Sequence, residues 1–128
     1  MLPYGGMSRE RIALGKTGED LACRELERRG YAILARRYRR RRGELDIVAR
    51  DGQTLVFVEV KAREGCEYGE GVEAITPLKR RRITQMALDY VARNGLSECP
   101  CRFDVVSILF DRSGPTIHVF QGAFDAAD

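Results

Sequence analysis

The chain has 128 residues, of which 44% are hydrophobic and 32% charged, with five Phe and five Tyr. That composition suits one folded core and excludes a disordered or fibrous protein. No apolar run approaches the ~20 residues needed to span a bilayer. The start, Met1 to Gly6, lacks a basic segment followed by an apolar stretch, so a cytoplasmic protein is expected.

Residues 8 to 29 hold no proline and end at Gly30, which predicts a helix with a glycine stop. Ile12, Gly15, Ala22 and Leu26 recur at helical spacing and form one small, apolar stripe. Glu19 falls on the same stripe. Burying its carboxylate unpaired costs on the order of 3–5 kcal/mol, so it needs a reason or leans out at a sheet edge. Tyr31 to Ala35 reads as a strand running into an arginine cluster, which Gly43 breaks. Leu45, Ile47 and Ala49 then alternate with Glu44, Asp46 and Val48 in a second strand. Asp51-Gly52 marks a hairpin turn. Thr54 to Val60 is apolar on both faces, as a covered central strand requires.

Residues 63 to 75 are rich in glycine and glutamate, with Tyr68 among them, and read as a mobile loop. Thr76-Pro77 supplies an N-cap and first helical residue. Ile83, Met86, Ala87, Tyr90 and Val91 follow at helical spacing, and Asn94-Gly95 closes the helix. Phe103 to Phe110 and Thr116 to Phe120 are two further strands joined through Ser113-Gly114-Pro115. The predicted order is α-β-β-β-α-β-β, an α/β chain forming a single domain over residues 1–128, with 1–7 and 122–128 as flexible tails.

Net charge is only +3, but it is unevenly spread. Residues 1–50 carry 13 Lys and Arg against 7 Asp and Glu, whereas residues 51–128 carry 9 against 12. Ten basic residues lie in two clusters: Arg36, Arg37, Arg39, Arg40, Arg41 and Arg42, then Lys79, Arg80, Arg81 and Arg82. Guanidinium groups grip phosphate oxygens bidentately, which makes both clusters candidate nucleic-acid contacts. Cations at the start of a helix also oppose its macrodipole, by about 0.3–1 kcal/mol each when exposed, so four in a row call for an anionic partner. The competing reading is a solvated loop and a solvated helix end.

Cys23, Cys66, Cys99 and Cys101 do not fit a common zinc knuckle, because Cys99 and Cys101 are separated by one residue and the only histidine is His118. Reduced structural thiols are expected in a cytoplasmic protein.

Glu59 and Lys61 are two apart on the central strand and therefore share a face. The hairpin can set Asp46 beside Glu59. Two carboxylates so close repel unless one is protonated or a cation lies between them. Hard oxygen ligands with open water positions suit Mg²⁺ or Mn²⁺. The Val60 carbonyl is a candidate third oxygen, and Lys61 stands where it could orient or deprotonate a water or offset charge on a phosphoryl group. An isolated Glu-x-Lys is more simply a surface ion pair; its strand context and Asp46 favour a site.

The segments Gly-Glu-Leu-Asp-Ile-Val (43–48), Val-Phe-Val-Glu-Val-Lys-Ala-Arg (56–63) and Arg-Phe-Asp-Val-Val (102–106) resemble the YraN family, from Gly15 to about Phe110. This family of small bacterial proteins is regarded as predicted endonucleases, similar to archaeal Holliday-junction resolvases. The resemblance implies a restriction-endonuclease-like core, a central mixed sheet flanked by helices, of the PD-(D/E)xK type. On it, Asp46 is the first metal carboxylate, Glu59 the second and Lys61 the catalytic lysine. Glu19 is the helix-borne acid placed near the metals, a candidate for a second metal or the water. Leu45 stands where the motif has proline. Glu44 shares a face with Asp46 and is assigned beside the site or toward DNA. Gln85 lies on the helix that often lends a polar residue to such sites, and Arg102 with Asp104 reads as a structural pair. A homodimer is implied by the resemblance alone.

The expectation is thus a Mg²⁺- or Mn²⁺-dependent endonuclease acting on DNA, with branched or structured DNA as candidate substrate and no membrane partner. The alternatives are a nucleic-acid-binding module that keeps the fold without cleaving, and a scaffold whose basic clusters meet an acidic protein. A histidine-based nuclease is disfavoured because His118 is alone and far in sequence from the acids.

Overall fold

The computed structural model describes residues 9–64 and 75–127, with side chains from Lys16 onward. The order is α1 (Arg9–Arg28), β1 (Ala32–Arg40), β2 (Gly43–Asp51), β3 (Thr54–Glu64), α2 (Pro77–Arg93), β4 (Cys101–Asp111) and β5 (Gly114–Phe124). The strands form one mixed sheet in the order β1-β2-β3-β4-β5. Neighbours are antiparallel except β3 and β4, which run parallel because α2 carries the chain back between them. This is a restriction-endonuclease-like α/β fold. No described helix is long and apolar enough to cross a membrane.

The alternation of β3 builds both sides of the sheet. Leu55 and Phe57 face α2, packing with Ile83, Met86, Ala87 and Tyr90. Val56 and Val58 face α1 and pack with Ala22 and Leu26. Covering both faces is why this strand reads as continuously apolar. The α2 side is largely aromatic: Phe103 stacks on Phe124 with centroids 5.0 Å apart, and Tyr90 meets the edge of Phe57 at 6.1 Å. On the other side α1 approaches β3 so closely that a Cβ at Gly18 would lie 2.8 Å from the Ala62 Cβ. Glycine there lets the helix seat Glu19 against the sheet.

Three boundaries differ from the sequence expectation. β1 continues through the arginines to Arg40, because Arg36, Tyr38, Arg39 and Arg40 pair in turn with Ile47, Leu45, Glu44 and Gly43 of β2. Only Arg41 and Arg42 form the turn. β3 extends to Glu64, its pairing with β4 continuing to Glu64↔Phe110; residues 65–74 of the expected mobile loop, with Cys66 and Tyr68, lie outside the described residues. At the other terminus, residues 122–124 are strand and not tail. Phe124 is buried against Phe103, and the Ala127 N–H donates to the Thr84 hydroxyl at 3.0 Å. The expected tail at 1–7 lies outside the described residues.

A buried polar cluster ties the sheet together. The Asp104 carboxylate, 0% exposed, accepts from Tyr31 Oη at 3.0 Å, from Arg102 Nε at 2.9 Å and from the Gly122 N–H at 3.0 Å. Arg102 also pairs with Asp51 at 3.0 Å. The register shift between Phe103 and Val105, with Gly122 at a φ of 59°, brings that N–H onto Asp104. Arg102 and Asp104 are therefore a structural pair, and one that reaches Tyr31 just ahead of β1, Asp51 of β2 and Gly122 of β5. Asp104→Ala would leave the Arg102 guanidinium and the Gly122 N–H without this acceptor. We expect it to lower the free energy of unfolding in urea by about 3–5 kcal/mol.

Candidate active site

The β2–β3 ladder runs from Asp51↔Thr54 to Ile47↔Val58 and stops. Past that end, the carboxylate of Asp46, the next residue of β2, accepts from the Val60 N–H at 2.8 Å. The separation has a counterpart in β1. Arg37, between the Arg36↔Ile47 and Tyr38↔Leu45 pairs, has a φ of 52°, a left-handed conformation that a non-glycine residue adopts at an expense of about 1–3 kcal/mol. Asp46 is thereby released toward Glu59, which is itself only 7% exposed.

Burial and the adjacent Glu59 charge push the Asp46 carboxyl up to about 8, against the hydrogen bond from Val60 that favours its ionised form. Lys61 stands 3.9 Å from Glu59. Burial, reinforced by the neighbouring Lys79 cation, lowers the Lys61 pKa. Lys79 reaches in from the third position of α2 and pairs directly with Glu59. Burial opposes the Lys79 charge, but the Glu59 carboxylate outweighs it and raises the ammonium's pKa. The cluster is thus two carboxylates faced by two ammonium groups at one end of the sheet.

The structure brings together Asp46, Glu59, Val60 and Lys61, and gives Glu19 partners of its own. The Glu19 carboxylate, buried under α1, accepts from Arg36 Nε at 3.0 Å and Arg37 Nε at 3.2 Å. Among the described residues no three His, Cys, Asp or Glu side chains converge as a metal-binding group. The buried carboxylate on the helix stripe therefore has its explanation in two arginines.

The basic clusters divide in the same way. Arg36 binds Asp20 as well as Glu19, Arg39 pairs with Glu44 at 3.0 Å, and Arg40 with Asp89 at 3.4 Å. Lys79 turns inward to Glu59, and Arg80 donates to the Ile75 carbonyl at 3.1 Å while lying over the Phe124 ring. Arg41, Arg42, Arg81 and Arg82 remain exposed. Arg40, Arg41 and Arg42 line a cleft of about 280 Å³ against Gln85, Asp89 and Arg93 of α2. Gln85 lies in this arginine cleft, and Glu44 is exposed beside Arg39. Cys23, Cys99 and Cys101 are free thiols.

Lys79 is the member of the carboxylate cluster that sequence reasoning placed elsewhere. Its signal was present, since a cation in the first turn of a helix calls for an anion, but the anion is Glu59, 20 positions earlier in the chain.

Fold and site together describe a restriction-endonuclease-like domain with two acids and a lysine where its sheet opens. The uncharacterised protein family UPF0102 matches residues 18–108, and this chain belongs to that family, known also as YraN. A UPF0102 protein of Geobacter sulfurreducens is 46% identical over 98% of this chain and 99% of its own length. Another, from Symbiobacterium thermophilum, is 50% identical over 88% of this chain and 97% of its own. Among solved structures, Pyrococcus furiosus SfsA in complex with Ca²⁺ aligns over 94% of this chain and 74% of that one, at 17% identity and a TM-score of 0.40. So distant a likeness carries no functional argument.

The raised Asp46 pKa makes a prediction about stability. Below the unfolded carboxylate value of about 4, Asp46 is protonated in both states and contributes no difference. Between there and about 8 the folded state holds the extra proton, so rising pH favours unfolding. Asp46→Asn keeps an acceptor for Val60 and removes that titration. Without divalent cations, its melting temperature should match wild type near pH 4 and exceed it by a margin that grows toward pH 8 and then levels off. An equal margin at all pH values would refute this origin for the strain.

Proposed function

We propose that this chain is a divalent-metal-dependent endonuclease that hydrolyses phosphodiester bonds of DNA. The observation that carries this reading is the pair Asp46 and Glu59, two carboxylates forced together where the β2–β3 ladder ends, with Lys61 on the same face as Glu59. Such a pair suits a hard cation, because Mg²⁺ is commonly bound by one or two carboxylates with waters and substrate phosphates completing its shell. Asp46, Glu59 and the Val60 carbonyl would hold Mg²⁺ or Mn²⁺, which supplies charge neutralisation at the phosphoryl oxygens and a more acidic bound water.

The chain's own groups divide the remaining work. Glu59 anchors Lys61 and Lys79, so both ammonium groups are held where negative charge builds on a transferring phosphoryl group. Lys61 also orients the attacking water. Asp46 is held in place beside Glu59 by the Val60 N–H. Glu19 acts at one remove: by binding Arg36 and Arg37 it holds the left-handed Arg37 beside the opening of the sheet. Exposed Arg41, Arg42, Arg81 and Arg82 supply phosphate contacts that position a strand without reading bases. Branched or structured DNA is the substrate that resemblance to resolvases favours, with a homodimer as the working assembly.

The Lys79–Glu59 ion pair favours a second reading. It already satisfies Glu59 without a metal, as a nucleic-acid-binding module that does not cleave would require.

Labelled linear, nicked, flap and four-way-junction DNA, incubated with the protein in Mg²⁺, Mn²⁺ or EDTA, separates the two. We expect cleavage that needs the metal and falls about 10²-fold or more in Glu59→Gln and in Lys61→Ala. Binding without cleavage in either metal, unaltered in both variants, would leave the module. In a second measurement, Arg41→Ala with Arg42→Ala should weaken binding to all these DNAs alike. The log–log dependence of affinity on salt should lose about 0.9 per phosphate contact removed.

A further inference from the structure

The strand registers extend the site across the sheet to residues remote in sequence. Lys61 pairs with Ser107, and Ser107 with His118; two rows away, on the same face, Glu59 pairs with Val105, and Val105 with Phe120. Paired residues present their side chains to the same face. That face is the α2 side, as Phe57, Phe103 and Val105 show by packing in the α2 core. With neighbouring strands about 4.8 Å apart, His118 and Phe120 stand about 10 Å across the sheet from Lys61 and Glu59.

Both rings are open to solvent. Phe120 is 39% exposed, His118 is exposed, and their centroids lie 6.4 Å apart at 33° on the edge strand β5. One exposed Phe would be unremarked. Two adjacent rings, in the rows that end on Glu59 and Lys61, form an aromatic shelf continuous with the acids and ammonium groups.

We propose that this shelf holds an unpaired strand of nucleic acid, its bases stacked on Phe120 and His118 and its phosphates met by Lys61 and the Ser107 hydroxyl. Aromatic side chains stack on every base through its π-face, but only when the base has left its own helix. A cation beside the rings suits the backbone of the same strand. The shelf therefore selects a single-stranded or splayed segment next to the bond presented to Asp46 and Glu59, which defines the substrate as DNA with unpaired positions. This rests on the nuclease reading above for its location, although binding alone is enough to test it.

The test uses the full chain in EDTA, so that cleavage plays no part. Anisotropy titrations compare a labelled single-stranded oligodeoxynucleotide with the same sequence as a blunt duplex. Phe120→Ala and His118→Ala should each weaken single-strand binding about tenfold, within the range measured for lost base stacking, and change duplex binding less than twofold. Phe120→Leu keeps apolar bulk without a π-face and should behave as Phe120→Ala, whereas Phe120→Tyr should retain binding. Because the chain has no tryptophan, F120W also introduces a single indole reporter. Its emission should be quenched by the single strand and not by the duplex. If the wild type binds both DNAs while F120L binds as tightly as wild type and the indole is not quenched, the shelf is overturned and the nuclease reading stands. If the wild type binds neither form, the nuclease reading falls, and the shelf with it.

Discussion

Past Ile47↔Val58, where the pairing of β2 with β3 ends, the Val60 N–H of the central strand is held by the Asp46 carboxylate. That hydrogen bond fixes where the sheet opens and what stands at the opening. It holds Asp46 out of the ladder and toward Glu59, where burial and the Glu59 charge raise the Asp46 pKa. Arg37, left-handed at the same level of β1, is part of the same distortion. Strained backbone and self-repelling acids persist only where the surroundings hold them, here two covered faces of one sheet.

Charge is distributed around that opening in opposed pairs. Glu59 meets Lys61 and Lys79, while Glu19 meets Arg36 and Arg37 from under α1. The close approach of α1 at Gly18 seats Glu19, and the N-cap Thr76 with Pro77 starts α2 where Lys79 can reach Glu59. Most of the basic residues that look like a phosphate-binding surface are therefore engaged in holding the molecule together. Arg41 and Arg42, at the β1–β2 turn, line a cleft with Gln85, Asp89 and Arg93 of α2. The inward pairs hold the acids in place.

The parallel β3–β4 pairing and the antiparallel β4–β5 pairing continue the same rows to the far edge of the sheet. Asp104 stabilises this extension from the opposite face, gathering Tyr31, Arg102 and Gly122 around a carboxylate with no exposure. One end of the sheet thus carries, in lateral order, an arginine turn, the acids and lysine, and the exposed rings of β5.

The seven elements and their order were legible in the sequence, because hydrophobic periodicity, Thr76-Pro77 and Asn94-Gly95 are local signals. Asp46, Glu59 and Lys61 were legible too, since a two-residue period and one tight hairpin place them together without reference to the rest of the chain. The length of β1 was not, because arginines become strand only when β2 supplies the ladder. Nor was the partner of Glu19, the inward turn of Lys79, the end of β5 at Phe124, or the row joining Lys61 to His118. Each of these depends on contacts between segments brought together by packing, and no periodicity within a segment encodes which neighbour it will meet.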